Sequence, residues 1–332
     1  MSQYKIPIFD YLRTLAVLGI VFCHFCFNWA ETMGIGRFCA STFNALFIGL
    51  SGLLLGLGWH NQGRCVLGFQ FLYHRFSQLI KTYYPFLLLM FLFLKFVADY
   101  PLQWKDVIMY LLFVPWFDKL PGFEHLWFMT MIAICYVSAS LVSRFPSIIM
   151  GGVKMAFLLI AVYMAHAFLL VYGLSGQMIL YLAFFLLCFY RANHILRWID
   201  RQSTKQVIIM GLPVIVVIVL LFHFGLYDCY RQIGEWLGTV AAAMIAILIL
   251  KVGHNAKSNA AVSFIAGISF EIYLVHHNFA FDRYSVMAYL NNAYLGFFVL
   301  LIGSVLGAYL LKKGCNVFSC INYKSFYSYI KQ

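Results

Sequence analysis

The sequence contains few charged residues. Only 10% of its 332 residues are Asp, Glu, Lys or Arg, whereas a soluble domain has about 25%. Apolar residues instead make up 64% of the chain, which is more than one soluble core of this length can bury. This composition excludes an ordinary soluble protein, a disordered chain and a nucleic-acid-binding domain.

The cysteines show no pattern typical of disulfides or of a metal site. Their number, nine, is odd, and most of them lie inside apolar runs, where we expect small buried hydrophobic side chains. Cys23 and Cys26 form one Cys-x-x-Cys pair, but no second pair stands at zinc spacing. We therefore expect neither a disulfide framework nor a bound metal.

The sequence also lacks long polar segments and internal repeats, so we expect one membrane domain over residues 1–332. A membrane-spanning helix takes about 20 apolar residues, and ten stretches approach that length. They are residues 12–30, 39–59, 80–98, 125–143, 153–172, 176–190, 206–224, 234–251, 259–280 and 293–311. No cleavage site follows the first stretch, which we expect to be retained. The predicted fold class is an all-α polytopic membrane protein with about ten transmembrane helices.

Acidic residues number only 11 against 23 basic ones, which gives a net charge of +12. Lys and Arg accumulate in cytoplasmic loops, and their positions decide the role of residues 106–118, a short stretch broken by Pro115. If this stretch does not cross, 17 of the 23 basic residues fall on one side together with both termini. We therefore predict a re-entrant or interfacial segment at 106–118, cytoplasmic termini, and a bacterial inner membrane as the location.

Polar residues inside apolar spans are costly and usually face a partner or a cavity. In the first span, Arg13 and His24 are separated by eleven helical steps, which amount to about 16 Å and to three turns plus about 20°. Asp10 lies one turn before Arg13, within about 40° of the same face. The three residues therefore form a polar stripe that reaches the middle of the predicted span, although a snorkelling arginine and a buried, hydrogen-bonded histidine would look the same.

Two further spans carry polar groups. Glu124, His125 and Trp127 open one of them, where Trp127 is also consistent with an interfacial aromatic belt. Ser269, Tyr273 and His276 stand at helical positions i, i+4 and i+7, and Glu271 lies near the middle of the same predicted span. A packing network between helices remains an alternative for this second group.

A basic segment before the third span contains His74, Arg75 and Lys81, followed by Tyr83-Tyr84-Pro85. We interpret it as a cytoplasmic loop. It is either a topology signal alone or a binding surface for an anion.

In order along the chain, these segments resemble the acyltransferase 3 family of integral membrane O-acyltransferases, of the stand-alone type. The matching elements are Asp10-Tyr11-Leu12-Arg13 with His24, Phe47 with Ser51-Gly52, His125-Leu126-Trp127-Phe128, and Ser269 with Tyr273-Leu274 and His276. One departure concerns the Arg-x-x-Arg element before the third helix, where this chain has Gln78 and Lys81. Lysine can meet a phosphate as a point charge but lacks the bidentate fork of arginine.

The resemblance implies transfer of an acyl group, usually acetyl from acetyl-CoA, to a hydroxyl of a sugar or glycolipid. We expect the acyl-CoA, which is a donor substrate rather than a resident cofactor, to bind near Arg13, Arg75 and Lys81. His24 would act as general base or as a covalent acyl carrier, with Arg13 orienting the donor and Asp10 holding Arg13. The candidate acceptor-binding residues are His125, Trp127, Ser269, Glu271, Tyr273 and His276.

A second class of function stays open from the residues alone. A proton-coupled transporter or a lipid-linked sugar flippase would also place His, Arg and Glu inside the membrane. The inverted repeats and paired broken helices common in transporters are not recognisable in the sequence, and only an acyltransferase would consume a thioester.

Overall fold

The computed structural model describes residues 6–62, 68–115, 120–142, 160, 164–165, 177–226, 231–280, 285–290 and 292–330. These residues form twelve α-helices and no strand. In chain order the helices are α1 Ile6–Cys26, α2 Met33–Gln62, α3 Phe69–Phe96, α4 Trp104–Leu111, α5 Trp127–Val142, α6 Gln177–Tyr190, α7 Ala192–Arg201, α8 Thr204–His223, α9 Arg231–Val252, α10 Ala260–Gly267, α11 Ser269–Ala280 and α12 Ala293–Ile330. The predicted all-α polytopic fold class is therefore confirmed.

Seven of these helices are long and apolar enough to cross a membrane, and two bent pairs bring the number to nine. The pairs are α6 with α7, bent by 75°, and α10 with α11, bent by 73°. Nine of the ten predicted spans thus have a counterpart in the described part of the chain. The tenth, residues 153–172, lies almost entirely outside the described residues.

The first span begins and ends earlier than predicted. Helix α1 ends at Cys26 rather than near residue 30. It ends there because polar side chains of the following residues donate to its last carbonyl groups, which a further helical turn would otherwise use. Thr32 Oγ1 donates to the Cys26 carbonyl at 2.8 Å, and Asn28 Nδ2 donates to the His24 carbonyl at 2.9 Å. Such bonds satisfy the orphan carbonyls of a helix C-terminus. His24 therefore lies in the last turn of α1, not in its middle.

The chain packs into two compact units. The first combines residues from 1–72 and 131–266, and the second combines residues from 73–130 and 267–332. In the first unit, α2 packs against α1, α6 and α9. Glycines allow α2 and α6 to approach closely: a Cβ atom added at Gly52 would lie 3.2 Å from the carbonyl carbon of Phe185, and one at Gly56 would lie 2.9 Å from that of Phe189. Small residues let membrane helices pack backbone to backbone in this way.

Helix α7 differs in character from the spans around it. Its ten residues place Ala192, Ile195, Leu196 and Ile199 on one apolar face, and three of these four side chains are buried. Its polar face carries arginines and is exposed. A short helix of this composition, turned by 75° from the preceding span, is typical of a segment lying along a membrane interface.

Helix α8 is apolar around its whole circumference. A capping box starts it, in which Ser203 N donates to Gln206 Oε1 at 2.7 Å and Gln206 N donates to Ser203 Oγ at 3.2 Å. Only 6% of its 18-residue apolar stretch is buried against the protein. Most of the surface of this helix is therefore suited to contact with lipid.

In the second unit, side chains of α3 hydrogen-bond to the C-terminal end of the short helix α4. The hydroxyls of Tyr83 and Tyr84 donate to the carbonyls of Tyr110 and Leu111 at 3.1 and 2.9 Å, which satisfies the C-terminal end of α4. Phe113 follows with φ of 61°, and its ring stacks on Tyr83 with centroids 5.0 Å apart. With eight residues, α4 is about 12 Å long, far less than the ~30 Å hydrocarbon core, so it does not span the membrane as a helix.

The prediction of a loop before the third span was wrong, and one predicted span has a break within it. The basic segment with Arg75 and Lys81 is helical rather than a loop, because α3 already begins at Phe69. The span predicted at 259–280 is interrupted at Ile268, where α10 ends and α11 begins. Glu271 therefore lies in the first turn of α11 and not in the middle of a continuous helix.

Candidate functional site

The N-terminal half of α1 carries an ion pair. Arg13 Nη1 lies 3.7 Å from Asp10 Oδ1, one turn away on the same helix. Ser263 Oγ of α10 donates to Asp10 Oδ2 at 3.2 Å, so the carboxylate is held from two sides. The Arg13 side chain is 42% exposed, which leaves it accessible to an anionic ligand.

Two further hydrogen bonds fasten this part of α1 to the start of α10. Thr14 Oγ1 donates to the carbonyl of Val262 at 3.0 Å, and the Tyr11 hydroxyl donates to the carbonyl of Lys257 at 3.3 Å. Asn259 Oδ1 in turn accepts from the backbone N–H groups of Ala261 and Val262, which caps α10. The helix turn that carries Asp10 and Arg13 is therefore held against α10. The residues that hold it, Thr14 and Ser263, belong to no sequence motif, so the sequence analysis did not predict these contacts.

His24 stands on the same helix, eleven residues after Arg13, as the sequence predicts. Its side chain is half-buried, and its ring lies edge-on to Phe27 with centroids 5.6 Å apart. Since α1 is helical from Ile6 to Cys26, Arg13 and His24 lie about 16 Å apart along the axis and within about 20° of one face.

The second unit contains a cluster of three histidines, His125, His276 and His277, all nearly fully buried. The His125 and His277 rings stack with centroids 4.6 Å apart, and the His276 ring lies edge-on to His125 at 5.3 Å. Backbone carbonyls fix the rings: His125 Nε2 lies 3.0 Å from the Leu274 carbonyl, and His276 Nδ1 lies 2.7 Å from the Tyr273 carbonyl. We call this group, with Tyr273, the histidine cluster.

Tyr273 connects the two parts of the histidine cluster. Its hydroxyl donates to the backbone carbonyl of His125, and its ring packs against Phe128 at 4.8 Å between centroids. The predicted face of Ser269, Tyr273 and His276 is confirmed as one side of a helix, α11. The structure therefore brings His125 together with Tyr273 and His276, which stand about 150 residues later in the chain.

His277 and Glu124 belong to this site although the sequence did not single out His277. His277 Nδ1 lies 3.5 Å from Glu124 Oε2, and the glutamate is 32% exposed. The Glu124 carboxylate thus reaches from the surface toward the buried rings. The doubled histidine His276-His277 was the available signal, but helical spacing from Ser269 favoured His276 alone.

Glu271 is not part of the histidine cluster. It stands about 200° around α11 from Ser269, and its carboxylate lies 3.9 Å from Lys312 Nζ of α12. The same ammonium group donates to the carbonyl of Gly267 at the end of α10. Lys312 therefore contacts the residue before the bend, Gly267, and a residue after it, Glu271. The sequence did not indicate this role.

The remaining predicted site residues, Ser269, Trp127, Arg75 and Lys81, belong to the second unit. Ser269 is buried at the start of α11, and Trp127 is half-buried at the first position of α5, with its ring 6.1 Å from Phe128. Arg75 is half-buried and Lys81 exposed on α3. Six helical steps set these two cations about 120° apart, so they do not form one basic stripe.

Among the residues that the structure describes, no group of three His, Cys, Asp or Glu side chains is arranged to hold a metal ion. The histidine rings stack face to face or edge to face, whereas metal ligation needs their nitrogens to converge on one point.

Comparison with known families identifies the chain. A family model described as an acyltransferase domain matches residues 6–313, a range that includes α1, the histidine cluster and Lys312. No curated protein and no solved structure matches the chain. Because the match covers nearly the whole sequence and the described helices are those of a polytopic membrane protein, the chain belongs to the acyltransferase 3 family and is a membrane acyltransferase.

Proposed function

We propose that the protein moves an acyl group, in the first instance acetyl, from cytoplasmic acyl-CoA to a hydroxyl of a cell-surface sugar or glycolipid. One observation carries the proposal. Helix α1 holds Arg13 and His24 on one face, with Asp10 paired to Arg13 and fixed by Ser263. A cation suited to the donor and a base suited to the acceptor are thus built into one rigid element.

The donor brings phosphates and a thioester. Arg13 offers a planar guanidinium that can bind a phosphate or the thioester carbonyl through two N–H groups. Arg75 and Lys81 are further cations for the phosphates in this proposal. Since they lie on different faces of α3, each would meet a different part of the donor.

The acceptor hydroxyl is the nucleophile. His24 takes its proton while the oxygen attacks the thioester carbonyl carbon, so that a carbon–oxygen bond forms and the carbon–sulfur bond breaks. The CoA sulfur leaves as the thiolate and receives a proton, which restores neutral His24. The products are the acyl ester and free CoA, and no oxidant or metal enters the balance.

The histidine cluster is the candidate acceptor-binding region. It combines buried imidazoles and the Tyr273 hydroxyl with a partly exposed carboxylate, Glu124. Sugars are bound through such hydrogen-bonding groups and through aromatic surfaces like that of Trp127. Ser269 and Glu271 complete the predicted set, although Glu271 also has Lys312 as its ionic partner.

The test is release of free CoA in proteoliposomes supplied with acetyl-CoA and a glycolipid acceptor. We expect His24→Ala to lower kcat by about 100-fold or more, the usual contribution of a positioned general base. His223→Ala is the matched control, because His223 is exposed at the end of α8. We expect it to retain wild-type activity.

Full activity of folded His24→Ala protein would end this mechanism. Transport of the acceptor without consumption of the thioester would instead favour the alternative function, a proton-coupled transporter or a lipid-linked sugar flippase. Arg13→Lys adds a second readout: it keeps the charge but loses the bidentate fork, so we expect a raised KM for acetyl-CoA with a smaller change in kcat.

A further inference from the structure

The first unit contains an apolar cavity of about 220 Å³ that is partly open. Five helices line it, α1, α2, α6, α7 and α9, through side chains that include Leu12, Leu46, Leu53, Phe184 and Ala246. Leu12 and Leu46 in the lining are almost fully buried, whereas Trp198 of α7 is 38% exposed. Trp198 is therefore the most exposed residue of the lining.

The lining decides the chemistry of the occupant. The sixteen lining residues are hydrophobic, and only Trp198 and Cys188 among them carry a side-chain donor. A sugar, a nucleotide or a carboxylate would find few hydrogen-bond partners there, and burying such a group would be costly. A hydrophobic cavity of about 150 Å³ is already large enough to take up benzene. The lining on α9 extends from Ala242 to Leu250, which is about 12 Å along the helix. This shape suits one hydrocarbon chain.

Cations stand at the edge of the cavity. Lys251 directly follows the lining residue Leu250, and its ammonium group donates to the carbonyl of Asp200 at 3.0 Å. That bond places Lys251 beside Arg201, the neighbour of Asp200 on α7. Arg201 is exposed and stands about 60° from Trp198 around α7. Lys251 and Arg201 thus both follow residues at the end of the apolar lining, and Asp200 is the single acid of α7.

Helix α7 supplies the membrane context. It is amphipathic, bends by 75° from α6, and presents a tryptophan at the border between its two faces, as interfacial helices do. A lipid that lies beside such a helix has its phosphate at the level of the cations and its chains at the level of the apolar lining.

We propose that this cavity binds one acyl chain of an anionic membrane phospholipid, whose phosphate is held by Arg201 and Lys251. Distance argues against the acyl donor as the source of the chain. Leu12 lies twelve residues before His24 on α1, or about 18 Å along the helix, so a chain in the cavity is not at the proposed reacting centre. The inference is thus a lipid site in addition to the proposed function.

The experiment uses the full-length protein in nanodiscs and photoreactive probes. Phosphatidylglycerol with a diazirine on one acyl chain is compared with phosphatidylcholine and with acyl-CoA that carry the same chain, and labelled residues are mapped by mass spectrometry. We expect phosphatidylglycerol to label the cavity lining of α2 and α9 several-fold more than the other two probes. Labelling does not depend on acyl transfer, so its failure and a failure of the proposed function are distinguishable.

Two variants test the lining and the cations separately. Ala246→Phe fills the cavity and should lower phosphatidylglycerol labelling at least tenfold, whereas Val216→Phe, on the exposed surface of α8, should leave it unchanged. Arg201→Gln with Lys251→Gln should remove the preference for phosphatidylglycerol over phosphatidylcholine. These two side chains lie at the rim, so this variant decides the question even if Ala246→Phe does not fold.

The proposal is overturned by any of three results. They are wild-type labelling in folded Ala246→Phe protein, an unchanged lipid preference after removal of both cations, or cavity labelling by the acyl-CoA probe but not by phospholipid.

Discussion

Polar side chains in the second unit bond to backbone carbonyl groups of neighbouring segments. Tyr273 reaches His125 in this way, His125 reaches Leu274, and Lys312 reaches Gly267. Helical spacing could predict that Ser269, Tyr273 and His276 share a face, because that relation lies within one element. It could not predict the partners, since these contacts join residues that are 45 to 149 positions apart.

The Tyr273 hydroxyl should contribute to stability. Tyr273→Phe keeps the ring contact with Phe128 but leaves the buried carbonyl of His125 without this donor, which costs about 1–3 kcal/mol. We expect a lower midpoint of thermal unfolding in detergent. Tyr294→Phe, in which the ring is 83% exposed, is the control and should unfold like the wild type; an equal midpoint for both variants would contradict the role of the bond.

Lys312 should stabilise the bend between α10 and α11. Lys312→Met removes the donor to the Gly267 carbonyl and leaves Glu271 without its cation, so we expect a lower unfolding midpoint than for Lys313→Met, whose lysine is exposed. The double variant with Glu271→Gln should lose less than the sum of the two single changes, because interacting residues are not additive. Strict additivity in the double-mutant cycle would show that the two groups do not interact.

At the scale of helices, the sequence predicted where apolar stretches lie better than where helices end. Helix α3 begins eleven residues before the predicted span, since a helix that leaves the membrane continues when its residues form helices well, as Arg75 and Lys81 do. The break at Ile268 was missed because no proline marks it. Lys312 makes the break possible by satisfying a carbonyl that the interrupted helix leaves open.

The close approach of α2 and α6 leads to a further prediction. In a free helix Gly56→Ala would be favourable by about 1 kcal/mol, but here the new Cβ would lie 2.9 Å from the Phe189 carbonyl carbon, and overpacking of this kind costs about 1–3 kcal/mol. We therefore expect a net loss of thermal stability. Gly314→Ala on α12 meets nothing within 4 Å and should unfold at the same temperature or higher. The reverse order of the two midpoints would refute the packing explanation.

For the whole molecule, composition was sufficient to predict the fold class, because 64% apolar residues leave few alternatives to a helical membrane protein. The ordered motifs were sufficient for the family, which the match over residues 6–313 confirms. The division into two units could not be predicted, since each unit combines segments from distant parts of the chain. The number of crossings also depends on how two bent pairs are counted, and bends leave little trace in hydropathy.

The orientation of the chain remains a prediction and can be tested with reporter fusions. Helix α4, of eight residues, is too short to cross a bilayer as a helix, so fusions at Leu102 and Gly122 should report the same side of the membrane. A phosphatase that is active outside the cytoplasm and a fluorescent protein that folds inside it serve as complementary reporters. Signals from opposite sides would refute the re-entrant or interfacial segment.

Helix α8 has a consequence for the variation expected among relatives. Because only 6% of its apolar stretch is buried against the protein, few of its side chains are held in place by a neighbour of defined shape. Lipid accepts Val, Ile, Leu or Phe with little discrimination. We expect relatives to drift freely in residue identity along α8 while keeping its length and hydropathy, and to drift least at α2, where Gly52 and Gly56 face the backbone of α6.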